Sequence, residues 1–278
     1  MTKNRNNPVI RRLGISTFMG CAKTLEAFFQ RCATLGVGFV EVQCEKPLAL
    51  PVDVSPLERK QIRELLTSYA LTPIVHASYY DVNIASLNPQ IGTASMQQIQ
   101  EAIIFAADID ATIVDLHPGN LPGDYPKRCL QQSRKNLLKQ LSHLMEIAEN
   151  LQVIVSVENK QRGHNLQTIS TVDEQLAIIR EISSKYCRAT FDVGHANTYS
   201  CDLNDYARRI VPYLVNVHLH DNNGTKDEHL ALGRGNIDFK SILKILDAVQ
   251  YSGPFIIEVK SWAGIQSSIR TITKLVSK

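Results

Sequence analysis

Short apolar or β-branched runs alternate along this chain with longer stretches in which apolar positions recur at helical spacing. The short runs fall at 13–15, 39–42, 73–75, 112–116, 153–157, 189–191, 214–217 and 255–257. The helical stretches fall at 24–35, 56–69, 95–108, 126–150, 172–184, 205–213, 239–250 and 265–276. Alternation of this kind predicts βα units around a parallel sheet, and eight units suit closure into a (β/α)8 barrel. The rival architecture is an open doubly wound sheet, but no G-x-G-x-x-G follows the first strand, which removes its most specific support.

Punctuation agrees with these boundaries. Ser55-Pro56 reads as an N-cap followed by proline at the first helical position, and Gly36 and Gly253 stand just past apolar-periodic segments. No Gly/Ser linker, low-complexity tract or longer repeat interrupts the pattern, so residues 13–278 are expected to form one domain behind a flexible tail, residues 1–12.

Composition narrows the setting. With 44% apolar and 21% charged residues, the chain reads as an ordinary water-soluble protein, and no apolar run approaches the roughly 18 residues of a membrane span. The polar, basic amino terminus lacks the apolar core of a secretory signal, so a cytoplasmic location is expected. Six scattered cysteines without a C-x-x-C pair point to reduced packing thiols. A net charge of +3 is too small to announce a nucleic-acid partner.

Metal-binding side chains fall just after the predicted strands: His76, His117, Glu158, Asp192, His218 and Glu258. In a closed barrel these positions converge on one rim. His195, three residues beyond Asp192, can reach the same point from one loop, and Asp227 and His229 lie in the loop after the seventh strand. Glu158 and Glu258 each end an apolar strand, where an unpaired charge is costly. By spacing alone, Asp227 and His229 read as solvated surface. His143, within an amphipathic helix, reads as structural; His164 is undecided; His220 reads as a partner supporting a ligand. Tyr79, Tyr80, Lys160 and Arg234 are candidate substrate-binding residues, Arg234 because Gly233-Arg234-Gly235 reads either as a tight loop approaching an anion or as a simple turn. Nitrogen and oxygen donors without thiolates suit zinc or manganese, and nine of them suit one to three ions or one ion with substrate-holding groups.

Val75-His76-Ala77-Ser78-Tyr79, His117-Pro118-Gly119, Val157-Glu158-Asn159, Asp192-Val193-Gly194-His195, Val217-His218-Leu219-His220-Asp221, Asp227-Glu228-His229 and Ile257-Glu258, in this order, resemble the xylose-isomerase-like TIM barrels. That superfamily contains endonuclease IV (AP endonuclease family 2) and the sugar-phosphate isomerases and epimerases. Resemblance to endonuclease IV implies that all nine residues ligate zinc, Asp227 and His229 included. Resemblance to single-metal ketose epimerases implies a metal quartet of Glu158, Asp192, His218 and Glu258, with both glutamates moving protons. His164 stands where those epimerases have a second glutamate. Tyr79-Tyr80 resembles the DNA wedge of endonuclease IV, whereas Gln43-Cys44-Glu45-Lys46-Pro47 does not resemble its arginine-bearing loop.

The expected function is therefore a divalent-metal-dependent sugar or sugar-phosphate isomerase or epimerase, with Glu158 and Glu258 as catalytic residues and proton transfer through a metal-stabilised enediolate. The alternative is a phosphodiesterase of endonuclease IV type with two or three zinc ions and DNA as partner; the third is a metal-binding barrel without turnover. The expected partner is a small sugar and not a membrane, and pairing of two copies into a homodimer is carried as an expectation.

Overall fold

The computed structural model describes residues 11–18 and 20–276. Its strands are β1 (Leu13–Ser16), β2 (Phe39–Gln43), β3 (Thr72–His76), β4 (Ile113–Leu116), β5 (Asn120–Leu121), β6 (Ile154–Glu158), β7 (Leu166–Gln167), β8 (Cys187–Asp192), β9 (Leu214–Leu219) and β10 (Phe255–Ile257). Its helices are α1 (Leu25–Leu35), α2 (Pro56–Ser68), α3 (Pro89–Asp108), α4 (Cys129–Leu151), α5 (Val172–Ile182), α6 (Val193–Asn197), α7 (Leu203–Ile210), α8 (Phe239–Ala248) and α9 (Trp262–Val276). Eight parallel strands close in the order β1-β10-β9-β8-β6-β4-β3-β2, while β5 and β7 form a small antiparallel ribbon apart from the barrel. The expected (β/α)8 barrel is the observed fold.

Local chemistry explains most boundaries. Ser55 with Glu58, and Thr171 with Glu174, form capping boxes at the starts of α2 and α5, satisfying amide donors that the first helical turn leaves free. Gly36 ends α1 in the left-handed region at φ 79, where the absence of a Cβ removes the steric penalty. Two expectations shift. α3 begins at Pro89 rather than 95, because the Asn88 side chain accepts from Gln90 N and Pro89 occupies the first turn. Gly253 does not cap α8: the left-handed residue there is Gln250. Gly253 instead makes room, since a Cβ would stand 2.4 Å from Tyr251 Oη and 2.7 Å from Val215 O.

Apolar packing between helices and strands forms the main core, and α9 closes the seam against α1. The Trp262 ring lies 5.7 Å from Phe28 and 5.8 Å from Phe18, and its Nε1 donates to Cys21 O at 2.8 Å. Four of the six cysteines, Cys21, Cys32, Cys44 and Cys187, are buried. Residues 1–10 of the expected tail lie outside the described residues; Arg12 stacks its guanidinium 4.7 Å from the Phe255 ring and donates to Gly253 O. Among the described residues no helix is long and apolar enough to cross a membrane.

A connected set of buried polar groups crosses between the barrel strands. Ser16 Oγ donates to Glu41 Oε1 at 2.8 Å, Asn216 Nδ2 approaches Glu41 Oε2, and Ser156 bonds both Asp115 and Thr190. Most buried polar groups are partnered, and the atoms of this set that are not, Asp115 Oδ2 and Asn216 Oδ1, mark an interior organised for something beyond packing.

Candidate metal centre at the barrel mouth

The barrel delivers the candidate ligands at one level. His76, Glu158 and Asp192 are the last residues of β3, β6 and β8; His117 and Glu258 follow β4 and β10 directly; His218 is the penultimate residue of β9. Register pairs Asp192 with His218 across β8 and β9. Asp192 also caps α6, accepting from His195 N at 2.6 Å, which is how the D-x-x-H spacing turns both side chains to the same side. Asp227 and His229 come from the loop after β9. That loop is held by Asp221, whose Oδ2 accepts from Gly233 N at 2.9 Å and Gly235 N at 2.8 Å.

These two bonds correct the anion-loop reading of Gly233-Arg234-Gly235. The loop's amides are already taken by an internal carboxylate. Arg234 itself is exposed and does not line the mouth cavity.

Ring orientations follow from the acceptors behind each histidine. His76 Nδ1 donates to Ala77 O at 2.8 Å, His195 Nδ1 to Asn159 O at 2.9 Å and His229 Nδ1 to Glu258 O at 2.8 Å. A carbonyl oxygen only accepts, so the neutral form of each ring keeps Nε2 bare. His218 is reversed: Nε2 faces Glu41 Oε2 at 3.0 Å, and Nδ1 faces three carboxylates. Nδ1 lies 3.7 Å from Glu158 Oε1, 3.8 Å from Asp192 Oδ2 and 3.6 Å from Glu258 Oε2. Donors on one tetrahedral ion with bonds of about 2.1 Å stand roughly 3.4 Å apart, so the spacing of Glu158, Asp192 and His218 suits a shared cation, with Glu258 3.6 Å from the same ring nitrogen.

Unsatisfied atoms reinforce this fit. Glu158 Oε1, Glu158 Oε2 and His218 Nδ1 are buried without an aligned hydrogen-bond partner. Glu158 lies 2.8 Å from His195 Nδ1 and 2.9 Å from His117 Nε2, close in distance but off the donor directions. Orphaned donor atoms in a buried site require a partner to offset their desolvation. Four further groups among the described residues have ligand-like spacing: His76/His117/Glu158, His195/His220/Asp227/His229, Asp192/His220/Glu258 and Glu41/Asp115/His218. His220 Nε2 lies 3.1 Å from Asp192 Oδ2, and the same ring belongs to two of the groups with ligand-like spacing.

Charge is shared among these groups. Burial opposes the charged form of His76, but Glu158, Asp115 and Glu41 outweigh it and hold the ring up to about 9. Burial likewise opposes ionisation of Glu158, yet Lys160, His195 and His117 keep its carboxyl well below the usual range. Burial, joined by the Lys160 ammonium, pushes His117 down to about 3. Lys160 Nζ stands 2.8 Å from His117 Nε2 and 3.6 Å from Glu158 Oε2.

Above the ligands lies a cavity of about 650 Å³ lined in part by Tyr79, Tyr80, Lys160, Asp227, His229 and Glu258. Tyr79 packs 4.9 Å from the His117 ring, with the exposed Tyr80 against it. Glu45 accepts from the backbone N–H groups of both tyrosines, so the loop after β2 anchors this aromatic turn. His143 and His164 are exposed and belong to none of the clusters. The residues missed from sequence are Glu41 and Asp115, both fully buried beside His218. A carboxylate in the middle of an apolar strand was the available signal.

Comparison with known proteins bears on the fold and the family. An uncharacterized protein of Methanocaldococcus jannaschii is 32% identical over 252 residues, covering 90% of this chain and 84% of that protein. The L-ribulose-5-phosphate 3-epimerase UlaE of Escherichia coli is 20% identical over 236 residues, covering 84% of this chain and 81% of the enzyme. The crystal structure of a D-tagatose 3-epimerase-like protein superposes with a TM-score of 0.86 at 29% identity, covering 96% of this chain and 97% of that one. Residues 29–275 match the xylose isomerase-like TIM barrel family, and the chain belongs to that family.

Proposed function

We propose that this chain is a divalent-metal-dependent sugar or sugar-phosphate epimerase or isomerase whose ion is held by Glu158, Asp192, His218 and Glu258. The observation that carries the reading is the position of His218 Nδ1, between 3.6 and 3.8 Å from one oxygen of each of the three carboxylates. The likeness to a D-tagatose 3-epimerase-like protein and to L-ribulose-5-phosphate 3-epimerase supports a small sugar as substrate. Bound among these four side chains, zinc or manganese supplies Lewis acidity to the carbonyl and hydroxyl oxygens of a ketose.

The chain's own residues do the rest. Glu158, kept ionised by its cationic neighbours, accepts the proton from the carbon beside the carbonyl, and Glu258, at the cavity wall, returns one to the same carbon. Return to the opposite face inverts that centre; return to the neighbouring carbon isomerises the sugar. Lys160 and Tyr79 hold substrate oxygens in the cavity, whose size suits a sugar or sugar phosphate.

Two of the additional donor groups, His76/His117/Glu158 and His195/His220/Asp227/His229, favour a second reading, a phosphodiesterase with two or three ions acting on DNA. Against it, the Lys160 ammonium already lies against His117 and Glu158, where an additional cation on those residues would meet like charge. Metal content per chain, followed by metal-restored assays on ketoses and their phosphates in deuterated water and on an abasic-site duplex, separates the readings. One ion with deuterium entering a sugar carbon supports the epimerase; two or three ions with duplex cleavage overturn it.

A further inference from the structure

Glu41 lies outside the proposed quartet, although with Asp115 and His218 it forms a deeper group of ligand-like spacing; it is fully buried in β2 and reaches across the barrel to β9. Its Oε1 accepts from Ser16 Oγ at 2.8 Å, and its Oε2 lies 3.0 Å from His218 Nε2. Asn216 Nδ2 competes for that nitrogen, standing 3.0 Å from it and 3.4 Å from Glu41 Oε2. Asp115 Oδ2, buried and without a hydrogen-bond partner, lies 3.4 Å away. The ring therefore has two arrangements. With a proton on Nε2 it donates to Glu41 and offers a bare Nδ1 to Glu158, Asp192 and Glu258. With a proton on Nδ1 it accepts from Asn216 and points hydrogen into the carboxylates.

We infer that Glu41 is a positioning residue that locks His218 in the first arrangement, forming a carboxylate–histidine pair beneath the metal. The inference rests on the proposed quartet. A carboxylate accepts and never donates, and a bond to it is about twice as strong as one between neutral groups, so it outcompetes the Asn216 amide. Histidine ligands generally carry such an outer partner, and losing it costs about 10- to 100-fold in metal affinity.

The test combines cobalt(II) and zinc titrations of the full chain, after chelator treatment, with 15N–1H spectra of histidine-labelled, zinc-loaded protein. Wild type should bind one ion with ring coordination through His218 Nδ1 and a downfield Nε2–H proton. Glu41→Ala should bind about 10- to 100-fold more weakly, with that proton moved or lost. Glu41→Gln preserves size and an acceptor oxygen; it should fall between the two, with the Nε2–H signal shifted upfield. If Glu41→Ala fails to fold by circular dichroism, Glu41→Gln carries the test. Coordination through Nε2, or affinity and Nε2–H signal unchanged in the folded variants, overturns the inference while leaving the quartet intact. Absence of metal binding in the wild type overturns the quartet itself.

Discussion

Gly194→Ala probes the support of the centre without removing a ligand. Gly194 lies in α6, between Asp192 and His195, and a Cβ there would stand 2.1 Å from His220 Cε1 and 2.4 Å from Nδ1. Relief to an ordinary contact of 3.4 Å moves the ring by about 1.3 Å in a close-packed interior. His220 has little room: it is fully buried, stacked 4.0 Å from the His229 ring, and 3.1 Å from Asp192 Oδ2. Overpacking of this kind costs about 1–3 kcal/mol, which corresponds to a fall in Tm of about 2–5 °C for a chain of this size. The same shift withdraws the partner that orients Asp192, so zinc affinity should fall about 10- to 100-fold. Calorimetric melting in chelator gives the first quantity and competitive zinc titration the second. Gly163→Ala, at an exposed glycine with nothing within 4 Å of the added carbon, should change neither. A Gly194→Ala protein that melts within about 1 °C of wild type and binds zinc equally well refutes the reasoning.

Glu258→Gln at saturating metal should lower the rate of deuterium exchange into the sugar about 10²- to 10⁴-fold; an unchanged rate removes Glu258 from proton transfer. Lys160→Met should raise KM for the active ketose by about 10- to 100-fold, the usual loss of a hydrogen bond to a charged group, whereas Arg234→Ala should leave both kinetic constants unaltered; equal behaviour of the two variants contradicts the placement of Lys160 in the cavity. In metal-free protein, His76 is held at about 9, above the ordinary 6.5, so the stability it contributes is present below pH 6.5 and lost as pH rises through 9. That loss is about 3 kcal/mol at most: urea midpoints should decline across this window in wild type and stay flatter in His76→Gln, and equal slopes would exclude the assignment.

The barrel was legible because its strands are compact apolar runs separated by stretches of helical period, and the rim was legible because chemistry-bearing residues end those runs. The start of α3 was less so: Gln90, Gly92 and Thr93 dilute the apolar period, although Asn88-Pro89 carried a cap signal. Arg234 misled for a different reason. A Gly-Arg-Gly loop has the same local appearance whether its amides meet a ligand or a carboxylate from earlier in the chain, here Asp221. Glu41 and Asp115 escaped notice because they sit inside strands, where no turn or spacing marks them, and because their partner His218 comes from a distant strand.

That last pairing follows from where each histidine and its acceptor stand relative to the strand ends. Ala77, Asn159 and Glu258, whose carbonyls orient His76, His195 and His229, are each the first residue after β3, β6 and β10. Carbonyls just past a strand end are available to a side chain, since the sheet ladder no longer consumes them. His218 lies within β9 and paired with both neighbouring strands, where main-chain acceptors are engaged. Its Nε2 is met by interior side chains, Asn216 of the same strand and Glu41 from β2, three strands away around the barrel. Burying that carboxylate in turn requires Ser16 and Asn216 around it. On the inferred arrangement, the Ser16–Glu41–Asn216 part of the polar interior serves one end, the presentation of His218 Nδ1 to the mouth.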